Sequence, residues 1–250
     1  MKKLIIFGAG KIGRTIIADI TKHKLALIKF VYDPFATDEQ INGVPVKKTL
    51  SEDDFNGVDL IVEAATPEVV KEQAEVVLKY CDMMTFSLTA FANDNFRKKV
   101  ETLCEECGTS LYMPHGAILG LDGIADGRDA FTEIRIETIK NPKALGRSDK
   151  ERTVLYEGST REATKLFPRN VNVHAAVALA GIGFDKTVSK ITSDPEVNTN
   201  THIITLKGPG VDFRINVSSF SEGGVSGKYV PLSACGSLER VLKGQGIRFA

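Results

Sequence analysis

Three glycines in Gly8-Ala9-Gly10-Lys11-Ile12-Gly13 stand between a short apolar run, residues 4–7, and a helix-like pattern over residues 12–21. That spacing serves phosphate chemistry. The first glycine permits a tight turn, the second lets backbone N–H groups approach a pyrophosphate, and the third lets the helix pack closely on the strand, leaving its positive end toward the phosphates. Asp33 ends a second apolar run, residues 27–32, where a carboxylate accepts hydrogen bonds from the adenosine ribose. A 2′-phosphate there would meet like charge, so NAD is the expected dinucleotide, with NADP kept open by nearby Lys29. A strand-to-helix turn built by glycines alone is the plainer reading; the flanking strand, the helix and Asp33 together argue against it. A dinucleotide crosses the carboxyl ends of the strands, so Ala65-Thr66-Pro67 and Ser87-Leu88 are expected beside its ribose and nicotinamide. Glu63 sits too early in its strand to be assigned a function and reads as a polar strand residue.

Hydride transfer at a carbon bearing nitrogen or oxygen needs a proton acceptor near that heteroatom, and histidine suits neutral pH. His23, between two lysines at a helix end, faces solvent. His174 lies in an alanine- and valine-rich helix, where a structural histidine and a functional one are equally good readings. His115 follows Pro114 in a glycine-rich loop at a strand end, and His202 begins a strand; these two are the catalytic candidates.

The elements that must position these groups follow from apolar patterning. Buried runs and helical stretches alternate through residues 60–64, 67–80, 83–87, 95–107 and 110–113, the signature of a parallel sheet covered by helices. Beyond Pro114 the pattern changes to longer strands with period two, as where Ile134 and Ile136 alternate with Glu133, Arg135 and Glu137. Further strands are expected over residues 188–191, 202–207 and 213–217, the last two joined at Gly208-Pro209-Gly210, with helices over residues 172–181 and 231–243. The expected fold is therefore α/β, a Rossmann-type parallel sheet over residues 1–110 and a second α+β domain over residues 111–230 on a mixed or antiparallel sheet. The C-terminal helix, about residues 231–250, is expected to pack back on the first domain.

With 32 basic and 32 acidic residues the chain has no net field to favour nucleic acid or an anionic membrane. The opening apolar run is too short for a signal-peptide core, and no stretch reaches the ~18 apolar residues of a span, so a cytoplasmic protein is expected. Cys104 and Cys107 have redox-motif spacing but sit in a polar helical stretch with no second pair to complete a zinc site, so they read as ordinary thiols and no metal is expected. Apolar strands of the second domain, such as residues 203–206, offer pairing across a two-fold axis, and a homodimer is expected.

Taken together, Gly8 to Gly13, residues 116–122, Phe167-Pro168-Arg169-Asn170-Val171-Asn172-Val173, residues 180–183, Asp194-Pro195 and Asn200-Thr201-His202 make this chain resemble the L-aspartate dehydrogenase family, along nearly its whole length. The resemblance implies a Rossmann domain joined to an α+β catalytic domain. It implies reversible oxidative deamination of L-aspartate to iminoaspartate, then oxaloacetate and ammonia, an activity the family links to NAD biosynthesis. It places the catalytic histidine on His202 and an asparagine beside substrate and nicotinamide on Asn172. Arg169 is one candidate clamp for a substrate carboxylate, and a surface arginine is an equally good reading of it. Three segments depart from the family: His115-Gly116-Ala117 replaces Ser-Gly-Ala, Ser87-Leu88-Thr89-Ala90 replaces Ser-Val-Gly-Ala, and Ser226 to Pro231 replaces Asn-Pro-Lys-Thr-Ser, with Lys228 as the candidate replacement lysine. These departures keep two alternatives open: a dehydrogenase of the same architecture for another small carboxylated substrate, and a sensor that binds NAD without turnover.

Overall fold

The computed structural model describes residues 1–168, 170–220 and 229–243. The chain divides into two compact units, residues 1–114 with the segment from Pro231 onward, and residues 115–230.

In the first unit, β1 (Lys3–Phe7) leads into α1 (Lys11–His23), then β2 (Leu27–Tyr32), β3 (Gln40–Ile41), β4 (Val44–Lys47), β5 (Leu60–Glu63), α2 (Pro67–Val77), β6 (Asp82–Thr85), α3 (Asp94–Cys107) and β7 (Leu111–Tyr112). The sheet order is β3-β4-β2-β1-β5-β6-β7, parallel except for the β3/β4 hairpin. Strand order reverses at β1, so the carboxyl ends of β1 and β5 form the switch point at which such sheets bind dinucleotides. The central strands are largely apolar because helices cover both faces: Leu4, Ile6, Leu60, Val62 and Met84 share a buried cluster with Ile16, Ile17 and Ile20 of α1. The helix α2 starts cleanly because Thr66 caps it, accepting from the Val69 N–H, with Pro67 in its first turn.

In the second unit, α4 (Leu121–Asp126), β8 (Glu133–Lys140), β9 (Thr153–Ser159), α5 (Thr160–Leu166), α6 (Asn172–Ala180), β10 (Val188–Ser193), β11 (Thr199–Gly208) and β12 (Val211–Phe220) follow. Their five-stranded sheet has the order β12-β11-β8-β10-β9, with β8 and β10 parallel and the other pairs antiparallel. The sheet is mixed, as one of the two forms expected. Strand β11 is hydrogen-bonded to β8 on one side and β12 on the other, so residues 203–206 have no edge with which to pair across a two-fold axis; the free edge on that side is β12. Helix α7 (Tyr229–Leu242) closes the described chain, with Ala234 and Leu238 buried in the cluster that holds α1.

Candidate active site

The glycine motif has three different reasons for its three glycines. Gly8 has φ +103°, and a Cβ there would lie 2.6 Å from the Ala64 carbonyl oxygen; a Cβ on Gly13 would lie 2.0 Å from the Gly8 oxygen. Both are required by the protein's own packing. Gly10 differs: it is extended, caps α1 without a side-chain hydrogen bond, and a Cβ there would meet nothing within 4 Å. The space above Gly10 and the open N–H groups of the first turn of α1 make the cradle a diphosphate needs. Asp33 lies at its rim. One carboxylate oxygen accepts from the Ala9 N–H at 2.8 Å and the other from the Phe35 N–H at 2.9 Å, which leaves lone pairs for ribose hydroxyls. The ammonium of Lys29 donates to the carbonyls of Asp54 and Asn56, so this nearest cation of the sequence reading is turned to the 54–56 segment and not to a 2′-phosphate.

Glu63, the last residue of β5, ties together the two loops expected beside the nicotinamide ribose. Its fully buried carboxylate accepts from the Ala65 N–H at 2.7 Å, the Ser87 hydroxyl at 2.7 Å, the Ser87 N–H at 3.2 Å and the Thr85 hydroxyl at 2.5 Å. Burial pushes its pKa up, and the four donors oppose that. Glu63 therefore sets the conformation of the loops that carry Ala65, Thr66, Pro67, Ser87 and Leu88; it is more than a polar strand residue.

In the second unit the inward face of the mixed sheet is polar at one end. Asn200 and His202 on β11, Thr138 and Lys140 on β8, and Ser189 on β10 are all buried. His202 Nδ1 lies 2.8 Å from the Thr138 hydroxyl, which lies 2.6 Å from Nε2 of His174 on α6. Burial first and the Lys140 cation second pull His202 down to about 3, and burial, ahead of the neighbouring His202 and Lys140, holds His174 well below its ordinary value, so both imidazoles are neutral. Lys140 is 3% exposed and donates to the Asn170 side-chain oxygen at 3.2 Å. It makes no ion pair among the described residues, and burial alone lowers it to about 8. A buried, unneutralised cation beside a neutral imidazole is an arrangement for an anionic ligand that gives up or takes a proton.

Comparison with known proteins agrees with both halves. Residues 8–114 match the family described as homoserine dehydrogenase, NAD binding domain, and residues 122–241 match aspartate dehydrogenase, C-terminal. The L-aspartate dehydrogenase of Thermotoga maritima is 36% identical over 207 residues, which is 81% of this chain and 81% of that protein. This chain belongs to the L-aspartate dehydrogenase family. The L-aspartate dehydrogenase of Methanopyrus kandleri is 33% identical over 258 residues, 98% of each chain. The crystal structure of the Thermotoga maritima aspartate dehydrogenase matches over all of both chains with a TM-score of 0.82 at 30% identity. A homoserine dehydrogenase from Thiobacillus denitrificans, covering 97% of this chain and 73% of its own, shares the fold at a TM-score of 0.63 and 13% identity. As an aspartate dehydrogenase family member, the chain is an NAD(P)-dependent oxidoreductase with an NAD-binding first unit.

The candidate residues of this family member fall into three sets. Gly8, Ala9, Gly10, Lys11, Ile12, Gly13 and Asp33 share one end of the first unit's sheet, and Glu63 links the Ala65 and Ser87 loops. In the second unit His202 is joined to His174, and Asn172 begins the helix that carries His174. His115 lies outside that chain of hydrogen bonds; its Nε2 is 3.2 Å from the Asp122 carboxylate, which it holds below the usual range. Arg169 and Lys228 lie outside the described residues. Sequence reasoning missed Lys140, Thr138 and the linking role of Glu63. The alternation of Ile134 and Ile136 carried the signal for the first two, since continuing it puts residues 138 and 140 on the inward face.

Proposed function

We propose that this protein catalyses the reversible oxidative deamination of L-aspartate with NAD, giving iminoaspartate, which water converts to oxaloacetate and ammonia. The observation that carries the reading is the buried pair of Lys140 and His202 on one sheet face, a cation with no carboxylate partner among the described residues beside an imidazole with a lone pair. Lys140 holds a substrate carboxylate. His202 takes a proton from the substrate ammonium, freeing the nitrogen lone pair that forms the C=N bond as hydride leaves Cα. Bound nicotinamide supplies the hydride acceptor, and the Gly10 cradle and Asp33 supply its grip on diphosphate and ribose. A carboxylate on Lys140 also offsets the positive charge that depresses His202, so substrate binding itself raises the basicity of the group that must take the proton. Asn172 is assigned to the substrate and nicotinamide on the family resemblance, Arg169 and Lys228 to the substrate carboxylates as candidate cations, and His115, which stands where the family has serine, to a lesser part in proton transfer. The enzyme works in the cytoplasm as a homodimer, supported by its free thiols and by the edge of β12, which is unpaired among the described residues.

The test is a screen for NADH formation with L-aspartate, other amino acids and small hydroxy acids. L-Aspartate is expected to be the best substrate, with His202→Ala lowering kcat by ~100-fold or more, the usual weight of a general acid–base group. Turnover of L-aspartate unaffected by His202→Ala would sink the assignment. Tight NADH binding with no turnover on any substrate would favour the sensor.

A further inference from the structure

Five hydrogen bonds run in series through the covered face of the mixed sheet. They join His202 Nδ1 to Thr138 Oγ1 (2.8 Å), Thr138 Oγ1 to His174 Nε2 (2.6 Å), His174 Nδ1 to Ser189 Oγ (2.8 Å), Ser189 Oγ to Thr160 Oγ1 (2.8 Å), and Thr160 Oγ1 to the Thr187 carbonyl (3.0 Å). Every side chain in the series is buried, His174, Ser189 and Thr160 completely. A dehydrogenase needs only the first ring of this series for proton transfer, so the rest calls for its own account.

The direction of the series is fixed by its end. A carbonyl oxygen only accepts, so the Thr160 hydroxyl must spend its one proton there. The Ser189 hydroxyl then has to donate to Thr160, which leaves its oxygen to accept from His174 Nδ1–H. A neutral imidazole with its proton on Nδ1 carries a lone pair on Nε2, so Thr138 donates to it. The Thr138 oxygen can then only accept from His202 Nδ1–H. Three hydroxyls and two neutral imidazoles bring one proton each, and the five bonds use all five. Reversing any one bond leaves two buried lone pairs facing each other farther along, a cost of the order of 1–3 kcal/mol per unmade bond.

We infer that His174 is a positioning residue: through Thr138 it locks His202 in the tautomer with the proton on Nδ1 and the lone pair on Nε2. The inference rests on the reading of His202 as the acid–base group. Nε2 is the nitrogen with no hydrogen-bond partner among the described residues. When it takes a proton the Nδ1–H bond to Thr138 is unchanged, so proton transfer in either direction needs no rearrangement of the series. A positively charged His174 would donate from both nitrogens and turn the Thr138 proton toward His202, giving the wrong tautomer; its burial without a carboxylate prevents this.

Long-range proton–nitrogen NMR on protein labelled in histidine nitrogens reads the tautomer directly, with the His202 signals assigned by their loss in His202→Ala. The expected spectrum is a neutral His202 protonated on Nδ1; a neutral ring protonated on Nε2 overturns the inference. In kinetics, Thr138→Val should lower kcat by ~10-fold or more while KM for aspartate stays within about threefold, because it removes the acceptor that fixes the proton. Thr138→Ser should recover most of that loss and keep the wild-type tautomer; failure of the serine to recover it, with the fold intact, also overturns the inference. If Thr138→Val does not fold, the wild-type and serine spectra still decide. The spectrum is recorded without turnover, so its outcome is separate from the His202→Ala kinetics that test the dehydrogenase reading.

Discussion

In the proposed substrate site, Lys140 is the residue at which the energetics of burial and the chemistry of the ligand meet. An ammonium that is 3% exposed, with one amide oxygen as its acceptor, is poorly compensated, which is why burial lowers it from 10.5 to about 8. In the unfolded chain the lysine keeps its proton to about 10.5, so between about pH 8 and 10.5 the unfolded state binds the extra proton. Stability of the ligand-free protein should therefore rise over that window, and the burial penalty is fully present below about pH 8. Binding runs the other way, since a dicarboxylate needs the charged form. Succinate, which has two carboxylates and no amine to titrate, should inhibit with a constant that is flat below about pH 7 and rises toward tenfold per pH unit above about 8. Lys140→Met should weaken succinate by ~10-fold or more and abolish that dependence; an unchanged pH profile in the methionine variant would remove Lys140 from the substrate site. The position was legible in the sequence, because Ile134 and Ile136 set the inward phase of the strand. Its role was not, because alternation says which face a side chain takes and not what lies over that face, and here the covering residues His174 and Asn170 come from thirty or more positions away.

At the scale of one element, the turn from β1 into α1 separates what the fold needs from what the ligand needs. A Cβ at Gly13 would sit 2.0 Å from the Gly8 carbonyl, and no side-chain movement relieves a clash with backbone. Gly13→Ala should therefore lower the melting temperature markedly, as overpacking does, by about 1–3 kcal/mol or more. Gly10 is extended with open space at its Cβ, so Gly10→Ala should melt within about 2 °C of the wild type, a shift that corresponds to less than 1 kcal/mol at this length. The same alanine should weaken NADH by ~10-fold or more in a fluorescence titration, since its methyl occupies the diphosphate cradle. Equal NADH affinity in wild type and Gly10→Ala would move the diphosphate elsewhere. This element was readable in full because strand, glycines and helix are contiguous. The neighbouring β3/β4 hairpin was not read, although Asn42 and Gly43 both have positive φ and form the turn such hairpins favour. Its strands are two and four residues long, too short to show a period. Strand β9 was missed for a related reason: it is an edge strand with no regular alternation of burial.

For the whole molecule, the division into a parallel and a mixed sheet was legible because the two halves use different periods, and the strand order was not, because order depends on pairings between residues far apart in sequence. Pairing is also what decides the assembly. Strand β11 is satisfied on both sides, whereas β12 presents ten residues along the outer edge of the sheet, with Phe213 53% and Phe220 62% exposed. A long edge strand with exposed aromatic side chains is a template for strand pairing that soluble proteins normally cover. In the proposed homodimer a second copy covers it with the same strand, since a two-fold axis brings β12 antiparallel to itself, and such closed dimers are the commonest assembly. Light scattering on the eluting protein should give twice the 27.2 kDa chain mass at micromolar concentration. Phe213→Asp with Phe220→Asp should shift it toward the single-chain mass while NADH binding, which belongs to the first unit, is retained. A wild-type protein of single-chain mass, or a double variant that stays dimeric, would take the assembly away from this edge.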